Sequence, residues 1–218
     1  MSEPLPQYAP SSPPHEEWAN VLVHGVGIVA SLTGGAVLIT LAAVFGDATR
    51  VVGAAVFVFT LVLLYTASTL YHVVPHERHK SRLKVLDHCA IFLLIAGTYT
   101  PFTLVALRGT WGWALLGSIW SLAVLGIAFK LFYTGRFRRA STVIYLAMGW
   151  LIVVAVGPLS QALPSWTLAC LIGGGVAYSL GTPFYLSRRV PYAHAIWHAF
   201  VLGGSVLHYA AICSQAIP

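Results

Sequence analysis

The sequence predicts an all-α integral membrane protein, a bundle of seven transmembrane helices with a cytoplasmic N-terminus and an external C-terminus. Three observations predict it. Hydrophobic residues make up 58% of the 218 and charged residues only 8%, with a mean hydropathy of +0.80. A soluble domain carries about 25% charged residues, so this chain has too little charge to cover a globular surface in water. The apolar residues also fall into seven blocks, each near the roughly 20 residues that a helix needs to cross a bilayer. Finally, the basic residues gather in every second break between blocks.

The blocks run over 20–45, 51–74, 85–107, 111–133, 141–161, 166–186 and 193–215. Gly46, Pro75, Gly109, Pro164 and Pro191 mark breaks between them, as residues that end regular structure should. Residues 1–15 are polar and proline-rich and read as a flexible cytoplasmic tail, leaving 16–218 as the transmembrane domain. No Lys or Arg precedes Arg50. The positive region of a secretory signal is therefore missing, and the first block is expected to be retained. Trp111, Trp113 and Trp166 fall where an interfacial aromatic belt belongs. Gly173, Gly174 and Gly175 suit close helix packing.

The net charge of +6 could suggest nucleic acid, but its distribution argues for topology instead. Arg78, Lys80, Arg82 and Lys84 follow the second block; Lys130, Arg136, Arg138 and Arg139 follow the fourth; Arg188 and Arg189 follow the sixth. Ten of the 12 basic residues thus lie on one side, with Arg50 and Arg108 on the other. Loops rich in Lys and Arg stay in the cytoplasm, which fixes the orientation and makes nucleic acid an unexpected partner. Cys89, Cys170 and Cys213 are far apart and inside apolar blocks, so neither a disulfide framework nor a thiolate metal site is expected.

Ionisable groups inside a bilayer are costly, and each is a functional-site hypothesis. Here they converge. Ser68 and His72 lie one turn apart near the end of the second block, Asp87 and His88 open the third, and His194 and His198 lie one turn apart near the start of the seventh. All six sit at a similar depth near the cytoplasmic side. Residues four apart share a helix face with Cβ atoms about 5–6 Å apart. His194 and His198 can therefore reach one ion at the roughly 2.0–2.1 Å of a Zn–N bond. His72 would make a three-histidine site with the fourth position open, as in catalytic zinc centres. Asp87 could hold and deprotonate a water at that position, and Ser68 could donate to a developing oxyanion.

The other histidines read differently. His15 is in the tail, and His76 and His79 are in a basic loop. His24 and His88 are candidates to support the site from behind its ligands. His208 lies ten residues beyond His198, ~15 Å further along the helix and too deep for the same ion.

With these residues in place, the chain resembles the hemolysin III family, the bacterial branch of the progestin and adipoQ receptor group that includes the adiponectin receptors. The resemblance rests on Ser68-x-x-x-His72, Asp87 and His194-x-x-x-His198 in seven helices. It extends to Glu16-Glu17-Trp18-Ala19-Asn20 before His24-Gly25-x-Gly27, and to Leu86-Asp87-His88 through Ala96-Gly97-Thr98-Tyr99-Thr100-Pro101. It implies a multi-pass protein of the bacterial plasma membrane. It also implies a zinc ion on His72, His194 and His198, with Asp87 and Ser68 around the water it binds. Alkaline ceramidases, which hydrolyse a lipid amide, share that constellation.

The leading expectation is therefore a zinc-dependent hydrolase of a lipid amide or ester, with membrane lipids as partners and homo-oligomerisation left open. The alternatives are a receptor or regulator of membrane homeostasis in which zinc only ties helices together, and a pore-forming cytolysin.

Overall fold

The computed structural model describes residues 13–134 and 136–217; most of the stretch read as a tail, up to residue 12, lies outside them. Seven helices among the described residues are long and apolar enough to span a membrane: α1 (Pro14–Phe45), α2 (Ala48–Val73), α3 (Glu77–Ala106), α4 (Gly109–Tyr133), α5 (Arg138–Ala162), α6 (Ser165–Leu186) and α7 (Ala193–Ala216). Large apolar side chains cover the outside, among them Val29, Leu125 and Phe132 at 63, 65 and 80% exposure. Such a surface would aggregate in water and is at home in lipid. The protein is a multi-pass integral membrane protein.

Two helices begin earlier than hydropathy alone predicts. α1 starts at Pro14, with Pro at the first helical position and Glu16 and Glu17 in its first turn. Both choices suit a helix N-terminus, where proline loses no hydrogen bond and acids meet the positive end of the dipole. α3 starts at Glu77 and runs through the basic segment to the apolar part. The reason is physical: hydropathy marks the part of a helix in hydrocarbon, whereas backbone hydrogen bonding continues past it.

At the opposite end, Asp47 caps α2 by accepting the Arg50 N–H at 3.0 Å, as a good N-cap does. The Thr49 hydroxyl, with help from the Arg50 N–H, holds the Asp47 carboxyl down at about 2. Asp47 also meets the guanidinium groups of Arg50 at 2.8 Å and Arg108 at 3.2 Å. Arg50 Nε donates to the Gln215 carbonyl at 2.8 Å. The α1–α2 turn, the α3–α4 turn and the end of α7 are thus joined. Gly109 takes φ +69° in that turn, a conformation open to glycine.

Neighbours pack in the order α7, α1, α2, α3, α4, with α6 on α7. α5 touches α3 and α6 only sparsely, and Lys130 ties it to α4 through a 2.6 Å hydrogen bond to Ser141 Oγ. α5 is also broken. Residues Leu151–Ala155 form a tighter turn, just before Pro158, which cannot donate a helical hydrogen bond. The Tyr99 hydroxyl fills the break. It lies 2.8 and 2.9 Å from the Met148 and Gly149 carbonyls and accepts the Ile152 N–H at 2.7 Å.

Candidate functional site

The site lies at the basic end of the bundle, where α2 ends and α3 and α7 begin. His72, His194 and His198 each bring a ring nitrogen to within 4.8 Å of the others. His72 Nε2 and His198 Nε2 are 3.1 Å apart. Two ligand nitrogens on one tetrahedral zinc stand roughly 3.4 Å apart, so the cluster needs little adjustment to hold an ion. The sequence places the last two residues one turn apart on α7, and their rings meet at 4.4 Å between centroids.

The His72 ring is fixed from behind. Its Nδ1–H donates to Glu17 Oε2 at 2.5 Å, and Glu17 Oε1 accepts from Lys80 Nζ at 3.0 Å. This leaves the His72 Nε2 lone pair turned toward His198. Metal-binding imidazoles are commonly held in this way by a carboxylate, which sets the tautomer and raises ligand basicity. Asn20, fully buried, brings its amide to 3.3 Å from the same Nδ1. Sequence reasoning quoted Glu17 and Asn20 as parts of a motif without giving them a role. Their contacts span 55 and 52 residues and depend on the early start of α1.

Buried polar atoms normally have partners, and those that lack one here are informative. Among the described residues they include His194 Nε2, His198 Nδ1, both nitrogens of His24, Ser68 Oγ and Asn20 Oδ1. The orphaned His194 Nε2, beside the His72 and His198 Nε2 atoms that face each other, fits a metal ion. The His24 ring lies 3.6 Å, centroid to centroid, from that of His198. His88 is already engaged: Nδ1 donates to the Lys84 carbonyl at 2.7 Å, and Nε2 is 3.3 Å from the Tyr185 hydroxyl. Ser68 makes no bond back to its own helix, the usual fate of a helical serine. His208 is away from the cluster, with Nε2 3.1 Å from the Leu171 carbonyl.

A cavity of about 260 Å³ adjoins the cluster. His24, Asp87, His88, His194 and His198 form its polar end, and apolar side chains of α3, α5, α6 and α7 line most of the rest. His72 and Ser68 are not part of its wall. Val153 and Val156 of α5 and Ile172 of α6 line the cavity and are 52, 55 and 51% exposed, which makes the seam between these two helices its accessible wall.

Fold and site together define a class: a seven-helix integral membrane protein with a largely buried histidine cluster, able to hold a metal ion, at one end of the bundle. Within that class the chain belongs to the haemolysin-III related family, which it matches over residues 13–209. It is 46% identical to Hemolysin-3 of Bacillus cereus over 203 residues, 93% of each chain. It is 30% identical to the monocyte to macrophage differentiation factor of Homo sapiens over 206 residues, 91% of this chain and 83% of that one. A more distant relative is the heptahelical transmembrane protein ADIPOR2 of Oryza sativa, 29% identical over 175 residues, 68% of this chain and 75% of that one.

Proposed function

We propose that the chain is a zinc-dependent hydrolase that cleaves an amide or ester bond of a membrane lipid at the basic, cytoplasmic end of the bundle. The observation that carries the reading is the junction of a three-imidazole cluster with an apolar cavity that has Asp87 on its wall. A metal site that served only as a staple would gain nothing from such a cavity.

His72, His194 and His198 would hold the ion, with Glu17 and Lys80 fixing His72. Zinc bound there would supply Lewis acidity and lower the pKa of a water it binds to about 7. Asp87 takes a proton from the attacking water as its oxygen adds to the lipid carbonyl carbon. Ser68 lies one turn from His72 behind the cavity wall, its hydroxyl without a partner among the described residues, and would turn toward the oxygen that gains charge once lipid is bound. As the C–N or C–O bond breaks, Asp87 returns the proton to the leaving amine or alcohol, and a fatty acid is released. The apolar length of the cavity takes the acyl chain, which enters from the bilayer between α5 and α6.

The test combines metal analysis of purified protein with release of fatty acid from a panel of lipid amides and esters in nanodiscs. One zinc per chain and turnover of at least one lipid are expected. Zinc without turnover of any lipid would replace this reading with that of a receptor or regulator.

A further inference from the structure

Buried polar groups gather at a second place, away from the metal cluster. His208 Nδ1 is buried without a hydrogen-bond partner, and the buried Tyr65 hydroxyl lies within reach of Ser205. Between them, Tyr178 and Ser205 join their hydroxyls at 2.8 Å, and the Tyr178 and His208 rings lie 5.4 Å apart. Polar groups at this depth are costly, and the chain makes room for each ring with a glycine. A Cβ on Gly174 would stand 2.2 Å from the His208 ring, one on Gly204 2.8 Å from the Tyr178 ring, and one on Gly27 2.6 Å from the Tyr65 ring. Apolar side chains would fill this space more cheaply, so packing alone does not account for three seated polar rings.

His208 and Tyr178 both line the cavity described above. The chemistry of His208 is fixed. Nε2–H donates to the Leu171 carbonyl at 3.1 Å, so in the neutral ring Nδ1 can only accept. His208 thus lines the cavity with a ring that carries a buried acceptor in want of a donor, beside a phenol paired with Ser205. A hydroxyl group can supply that donor.

We propose that His208 and Tyr178 form a subsite that recognises a hydroxyl group carried partway along the lipid chain in the cavity. The inference rests on the reading that the cavity holds a lipid chain, and is independent of whether that lipid is hydrolysed. Its reach follows from the helix. His208 is ten residues beyond His198 on α7, so the subsite is ~15 Å from the metal cluster, the span of roughly 12 chain carbons. The ligand class is a long-chain lipid hydroxylated near the middle of its acyl chain, distinct from lipids hydroxylated beside the carbonyl or at the far end.

The experiment is competition binding to the full-length, metal-loaded protein in nanodiscs. The probes are octadecanoic acid and its derivatives hydroxylated on the third, twelfth or last carbon. The twelfth-carbon derivative is expected to bind roughly 2–10-fold more tightly than the parent, the gain from one net hydrogen bond. The other two should gain nothing. His208→Leu should bring the ratio of the twelfth-carbon to the parent affinity to about one while keeping the metal content. The wild-type series decides the matter even if that variant fails to fold. Equal affinity for all four acids, a preference for another position, or a preference that survives His208→Leu would overturn the subsite and leave the proposed function standing. Binding of none of them would overturn the reading that the cavity holds a lipid chain, and the subsite with it; turnover of a lipid amide or ester tests the hydrolase separately.

Discussion

Glu17, in the first turn of α1, accepts the Nδ1–H of His72, in the last turns of α2, at 2.5 Å. One carboxylate oxygen orients the imidazole and the other holds Lys80, so three helices meet at one side chain. Glu17→Ala is expected to lower zinc affinity about 10–100-fold, the usual effect of losing a group that orients a metal ligand. Glu16→Ala, one residue away, should leave it unchanged. Zinc competition with a chromophoric chelator measures both, and equal affinity in wild type and Glu17→Ala would remove Glu17 from the site.

The three-imidazole assignment predicts a clean division among the histidines. His72→Ala, His194→Ala and His198→Ala should each lose zinc and unfold at lower temperature, because a ligand bound only to the folded state stabilises it. His76→Ala, His79→Ala and His208→Leu should keep the metal. Metal content and thermal unfolding are the measurements. Loss of zinc from the loop variants together with its retention in the helix variants would reverse the assignment.

Asp87 separates a hydrolase from a staple. Asp87→Asn should stay folded and zinc-loaded while lipid hydrolysis falls about 10²–10⁴-fold, the range for removal of a general base. Ser68→Ala should cost on the order of 10²-fold if its hydroxyl steadies the oxyanion. Equal rates for wild type and Asp87→Asn on every lipid would exclude Asp87 from the chemistry.

The basic residues predict orientation. A reporter active only outside the cytoplasm should be silent when inserted in the loop at Arg138 and active when fused to the C-terminus. The opposite pattern would turn the bundle over and place the histidine cluster on the external side.

Tyr99 carries a structural prediction. Its hydroxyl accepts the Ile152 N–H and meets two carbonyls where the α5 ladder is broken. Tyr99→Phe leaves those groups unpaired and should cost about 1–3 kcal/mol in stability. Thermal unfolding in detergent, with metal content as a control, would show it; an unchanged midpoint would mean that the break is satisfied in another way.

The seven spans were legible because the bilayer demands long apolar runs, and Val29 and Leu125 face outward for the same reason. The histidine cluster was legible because four-residue spacing fixes a helix face and alternating spans fix depth. His208 was correctly separated from it by helical rise alone. Glu17 and Lys80 were not legible as partners, since their helices begin in polar turns that hydropathy does not mark. The cavity was not legible either. It depends on the sparse packing of α5 against α3 and α6, a tertiary relationship that neither hydropathy nor spacing marks.

The proposed lateral route past Val153, Val156 and Ile172 changes what concentration means for this protein. An occupant that arrives through it is drawn from a two-dimensional solution, and its supply is set by its mole fraction among neighbouring lipids. Dilution with buffer should leave occupancy unchanged, whereas dilution with inert lipid or detergent should lower it in proportion. On that route, affinities for the cavity would be surface quantities, comparable between preparations only at equal lipid composition.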